Sequence, residues 1–161
     1  MHGFTLGSTS IVIQSHIIGM FLPSLITGRL IKKFGHSTII YSGALIYLIC
    51  IFLSFYDQTF INYLIALVLL GIGWNFLFIG GTSLLVLCYK ESEKFKVQGF
   101  NDVLVFSIQS IASLTAGYSI LKFSWNEINL ACIPLVLLII LISIRADFYK
   151  KKQNGIVKKL G

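Results

Sequence analysis

The sequence predicts an all-α integral membrane protein of about five transmembrane helices. Three observations carry that expectation: 56% apolar residues beside only 12% charged, with a mean hydropathy of +0.86; five long stretches free of Asp, Glu, Lys and Arg; and basic residues gathered between alternate stretches. Soluble domains carry about 25% charged residues, so the chain has half the charge that a water-facing surface needs. One crossing takes about 20 apolar residues, so 161 residues leave no room for a soluble catalytic domain beside the helices. Disorder and a disulfide scaffold are also excluded. Cys50, Cys88 and Cys132 all lie in apolar stretches and read as small core hydrophobes. They form no spaced ligand set, so neither a metal nor a cofactor is expected.

The charge-free stretches place the spans at about 11–31, 37–55, 63–87, 103–121 and 128–144 of one membrane domain, followed by a basic tail over 145–161. In the first span Gln14, Ser15 and His16 lie in the outer half and Pro23 near the middle. His16, Gly19, Pro23 and Thr27 share one helical face. Proline removes a backbone hydrogen bond and frees a carbonyl one turn earlier, which predicts a kink beside the histidine. Polar side chains at bilayer depth face protein or a water-filled cavity. His16 therefore reads either as a substrate or proton contact on a cavity-lining helix or as an interhelical hydrogen bond that fixes packing.

The third span packs four glycines around Trp74 and Asn75. Gly71, Asn75 and Thr82 fall roughly on one side of that helix, and Gly73 and Gly80 on another. Small residues let a neighbouring helix approach closely; Trp74 and Asn75 read either as substrate contacts or as packing residues. In the fourth span Ser107, Ser110, Ser113, Ala116 and Gly117 form a narrow stripe that reads as a packing seam, with Gln109 on a different face as a cavity candidate. Pro134 in the fifth span marks a helix start or a mild kink.

Five crossings alternate the connections between two sides. Arg29, Lys32, Lys33, Lys90, Lys94, Lys96 and the six basic residues from Arg145 onward fall on one side, and Lys122 alone on the other. Positive loops stay in the cytoplasm, which puts the tail inside a cell (inner) membrane as the end of a multi-pass chain. The tail's lysines then meet the anionic leaflet of the lipid bilayer, and the net charge of +7 needs no nucleic acid partner. The amino terminus falls outside, yet residues 1–10 show no signal peptide. This leads to the expectation of a missing N-terminal half of a longer protein. The mixed-sign connection Lys90–Asp102 reads as a solvated turn. Its Glu91, Glu93 and Asp102 could pair with Arg29, Lys32 and Lys33 as a cytoplasmic gate that breaks when two halves rock apart.

The residues Gly28-Arg-Leu-Ile-Lys-Lys-Phe-Gly35, between two spans, resemble the G-x-L-x-D-R-x-G signature of the major facilitator superfamily. Gly28, Leu30, Lys33 and Gly35 fit, and Lys32 stands where the signature has its acidic residue. The run His16–Ile31, with Leu70–Leu85 and Lys94–Asp102, is also similar to bacterial permeases of that family. The resemblance implies that the spans are about helices 8 to 12, most of the C-terminal six-helix bundle. It further implies secondary active transport of a small-molecule substrate by alternating access, with no enzymatic activity. On that reading Gln14, His16, Trp74, Asn75 and Gln109 line one wall of the cavity, and Gly28, Arg29, Lys32, Lys33 and Gly35 belong to the cytoplasmic gate motif. The other expectation is a truncated or autonomous membrane protein that transports nothing, a remnant or an assembly partner. A membrane enzyme finds no support: there is no in-membrane Asp pair, no H-E-x-x-H, and no Ser with a helical Lys or His partner.

Overall fold

A computed structural model describes residues 5–56 and 59–160, with backbone alone for residue 147 and for 149–160. Its helices are α1 Leu6–Phe21, α2 Ser24–Phe34, α3 His36–Tyr56, α4 Phe60–Leu85, α5 Lys94–Lys122 and α6 Trp125–Leu160. Two single 3₁₀ turns, Val86–Cys88 and Glu91–Glu93, join α4 to α5. Among the described residues there is no strand. Four helices are long and apolar enough to cross a membrane, or five if α1 and α2 form one crossing with a 40° bend.

Side-chain caps explain where the helices begin. Thr5 Oγ1 accepts from the Ser8 backbone N–H at 3.2 Å at the start of α1, and Thr59 does the same for Asn62 at the start of α4. At α6, Ser124 Oγ accepts from Glu127 N while the Glu127 carboxylate accepts from Ser124 N at 2.7 Å, a reciprocal capping box. Pro23 separates α1 from α2 because it has no N–H to continue the ladder. Pro134 lies inside α6 without ending it.

α2 stops at Gly35, whose φ of 86° and ψ of 159° fall in a region open essentially to glycine alone. That single residue turns the chain into α3. Of the two glycines in the resemblance motif, only Gly35 is conformationally required; Gly28 sits in α2 with open space where a Cβ would go. Gly35→Ala is expected to cost about 1–3 kcal/mol of strain, and Gly28→Ala to be neutral or slightly stabilising. Thermal melts of the two variants in detergent check the contrast; equal melting temperatures would contradict it.

Packing centres on α4, which lies between α1 and α3. On the α1 side, a Cβ on Gly71 would stand 2.5 Å from His16 O and 2.9 Å from Gly19 C. On the α3 side, Gly73 meets the Tyr47 ring, Gly80 meets Ile40, and Gly43 faces Gly73 O. Bare backbone at these positions sets the close approach of the helices. α3 also packs on α6 through Ala44, Ile51 and Val136. No residue of α5 is buried.

Two sequence expectations change here. The connection Lys90–Asp102 is not a turn throughout: from Lys94 it forms the first turns of α5. No proline interrupts it, and Lys94–Glu91 (3.4 Å) and Gln98 Nε2 donating to Tyr89 Oη (2.6 Å) brace its start. Of the cysteines, only Cys50 is buried; Cys88 and Cys132 are exposed.

Candidate functional site

The break between α1 and α2 creates the polar centre of the molecule. A proline at position 23 has no N–H to give the carbonyl four residues back, and the turn around it loosens the adjoining ladder. The Met20 carbonyl accepts instead from Asn75 Nδ2 of α4 at 2.7 Å. The other end of the same amide, Asn75 Oδ1, accepts from Thr27 Oγ1 of α2 at 2.7 Å. Thr27 Oγ1 is also 2.8 Å from Pro23 O, so its single proton is shared between two acceptors. Asn75 is 1% exposed and Thr27 is fully buried. A buried amide therefore joins both halves of the broken helix to α4.

One turn nearer the start of α1, His16 Nδ1 lies 2.8 Å from Leu67 O of α4. A carbonyl can only accept, so this geometry puts the ring proton on Nδ1. Gly19 and Gly71 touch between the two polar contacts. Trp74, half-buried beside Asn75, stacks on Phe78 with ring centroids 4.7 Å apart and planes 11° apart. The structure thus brings His16 and Asn75 to the packing of α1 on α4, leaves Trp74 next to Asn75 but stacked on Phe78 of its own helix, and adds Thr27, which the sequence had placed on the histidine's face. The other two candidates lie elsewhere. Gln14 is exposed, with its amide donating to Ser10 Oγ at 3.3 Å. Gln109 is exposed in a shallow depression along α5 with Phe106, Ser110 and Ser113.

The acidic residues considered for a cytoplasmic gate are engaged close to home. Glu91 pairs with Lys94, Glu93 accepts from the Lys90 backbone N–H at 3.3 Å, and Asp102 accepts from Asn101. Arg29, Lys32 and Lys33 are exposed, and Lys33 Nζ lies 5.1 Å from the Phe34 ring centroid. Among the described residues no ion pair crosses between the two segments.

A groove of about 390 Å³ lies between α3, α4 and α6. Ser54, Asn62 and Asn129 stand near the end where α4 and α6 begin, Tyr47, Leu70 and Ile139 toward the other. At the mouth, Tyr63 and Trp125 meet edge-to-face at 6.1 Å. They are shared with a cleft of about 260 Å³ that reaches Ser8 and Thr9 of α1. Sequence reasoning missed this feature. Its only signal was the recurrence of asparagine and aromatic residues in the outer turns of two spans.

Comparison with known proteins agrees with this architecture. Residues 2–159 match the profile of the Major Facilitator Superfamily. The chain is 34% identical over 139 residues to the riboflavin transporter RfnT of Brucella anthropi, covering 86% of this chain and 35% of that protein. It is 36% identical over 145 residues to the uncharacterised MFS-type transporter YddS of Bacillus subtilis, with 84% and 33% covered. A third relative, YdeG of the same bacterium, is 36% identical over 141 residues, with 86% and 33% covered. No solved structure matches. The chain spans about a third of the length of these relatives. With apolar crossing helices, a helix broken at Pro23 and a match over nearly its whole length, the chain belongs to the major facilitator superfamily.

Proposed function

We propose that the chain forms part of a permease that moves a small solute across the cell membrane by alternating access. On this reading it supplies most of the C-terminal six-helix bundle, with its basic tail in the cytoplasm and the remaining helices supplied by an N-terminal half. The observation that carries the proposal is the broken α1–α2 helix, tied to α4 by uncharged polar groups. A broken helix held by side chains rather than by its own ladder is where transporters expose backbone and polar groups to substrate. On this reading His16 and Trp74, each half-buried, belong to the solute-facing wall.

Neither α1 nor α4 contains a carboxylate, Lys or Arg, which favours an uncharged polar solute. Riboflavin, the solute named for one relative, has that character and an aromatic ring system suited to Trp74. The gate residues fit the same scheme. Glu91, Glu93 and Asp102 have local partners here, and on this reading they exchange them for Arg29, Lys32 or Lys33 in the closed state.

The test is a graft: this chain replaces the matching third of the Brucella riboflavin transporter, and labelled riboflavin uptake is measured in a riboflavin auxotroph. Uptake well above an empty-vector control is expected, falling on His16→Ala and when the basic cluster is neutralised. A graft that reaches the membrane as a stable monodisperse protein yet carries no riboflavin would remove flavins as the substrate. Failure with a panel of uncharged solutes would remove transport.

A further inference from the structure

We infer that the exposed face of α2 holds an anionic phospholipid, with its headgroup phosphate on Arg29, Lys32 and Lys33 and its acyl chains along Leu25 and Ile26. The inference stands on the membrane crossing and the basic cluster, and does not need transport to be the function. α2 has two opposite faces. Thr27 and Ile31, one turn apart, are buried on a helix that packs on α3 and α4. On the other side Leu25, Arg29 and Lys32 follow at steps of four and three residues, flanked by Ile26 and Lys33. All five are exposed, Leu25 by 74% and Ile26 by 51%.

The order of residues along that face matches the depth profile of a leaflet. At 1.5 Å per residue, Arg29 to Lys33 covers about 6 Å of the axis, and Leu25 lies about 6 Å beyond Arg29. A headgroup layer is about 5–7 Å thick. With the three cations in that layer, Leu25 and Ile26 fall among the acyl chains. A free anion would use the cations alone, and a neutral lipid the apolar side chains alone; an anionic phospholipid uses both. The charge also calls for a partner. Residues 24–35 contain no acid, and Glu91, Glu93 and Asp102 are engaged in their own segment. The carboxyl end of a helix supplies about half a negative charge against three positive ones, and the Phe34 ring lies 5.1 Å from Lys33 Nζ. A phosphodiester brings a full negative charge, and the arginine fork binds phosphate oxygens in pairs. Each cation near an anionic membrane surface is worth about a five-fold gain in binding.

The experiment extracts the full chain from a bacterial membrane in mild detergent and measures, by mass spectrometry, the phosphatidylglycerol and phosphatidylethanolamine that stay bound. The parent is expected to be enriched in phosphatidylglycerol several-fold over its share of the source membrane. Changing Arg29, Lys32 and Lys33 together to glutamine should abolish the enrichment. The charge-conserving triple Arg29→Lys, Lys32→Arg, Lys33→Arg should keep it, as should glutamine at Lys150, Lys151 and Lys152 of the tail. Leu25→Asn with Ile26→Asn should lower it. No enrichment in the parent, or an equal loss in the tail variant, refutes the seat. If the asparagine pair changes nothing and excess inorganic phosphate strips the lipid, the cations are a site for a free anion and the inference falls. It falls too if enrichment vanishes when the chain is co-expressed with the unmatched two thirds of the Brucella riboflavin transporter, since the face then belongs to that protein. Should the glutamine triple aggregate, the parent, the tail variant and the asparagine pair decide alone.

Discussion

Replacing Gly71 with alanine is expected to push α1 away from α4 and to give the largest loss of stability of any single methyl added to this protein. The new Cβ would stand 2.5 Å from His16 O and 2.9 Å from both Gly19 C and Met20 N. All three are backbone atoms, so no side chain can swing aside. Overpacking of this kind costs about 1–3 kcal/mol and sometimes more, and a separation of the helices here would also weaken the His16–Leu67 and Asn75–Met20 hydrogen bonds on either side. Gly81, on the same helix, has nothing within 4 Å of a built Cβ and is the control. Thermal unfolding in detergent should show Gly71→Ala melting far below the parent and Gly81→Ala close to it. Similar curves for the two variants would mean that α1 and α4 are not in backbone contact.

The second large effect is expected at Asn75. Asn75→Ala leaves Met20 O without a donor and Thr27 without one of its two acceptors. A buried polar group stripped of its partner costs about 1–3 kcal/mol. The coupling between the two side chains is smaller. Interhelical hydrogen bonds in membrane proteins average about 0.6 and reach about 1.7 kcal/mol in double-mutant cycles, and Thr27 retains Pro23 O. Asn75→Ala should therefore destabilise more than Thr27→Val, and the double variant less than the sum of the two. Strict additivity would show that the amide and the hydroxyl do not interact.

Much of this arrangement follows from period and residue type. The 3.6-residue repeat separates Gly71 and Asn75 from Gly73 and Gly80, and the structure gives the first pair to α1 and the second to α3. Pro23 marks the break, and Thr27 shares the face of His16. Other features depend on tertiary placement, which a single sequence does not encode. The helical start of α5 was hidden by Lys94, Lys96, Gly99 and Asp102, whose charges and glycine resemble a loop until Glu91 and Tyr89 are seen to brace them. The apolar setting of Cys132 says nothing about whether a neighbour covers it; the gap between α4 and α6 leaves it exposed. Gln109 and Gln14 have the polarity of cavity residues, but both side chains are exposed.

A five-crossing permease bundle requires α1 and α2 to be one broken crossing rather than a hairpin that enters and leaves on the same side. Single cysteines at Ser8, half-buried, and Lys33, exposed, in a background with Cys50, Cys88 and Cys132 changed to serine, decide the matter with a membrane-impermeant maleimide. A single crossing predicts that the cysteine at position 8 is labelled in intact cells and that at position 33 only after the membrane is opened. Labelling of both positions from the same side would contradict it, and with it the five-crossing permease bundle.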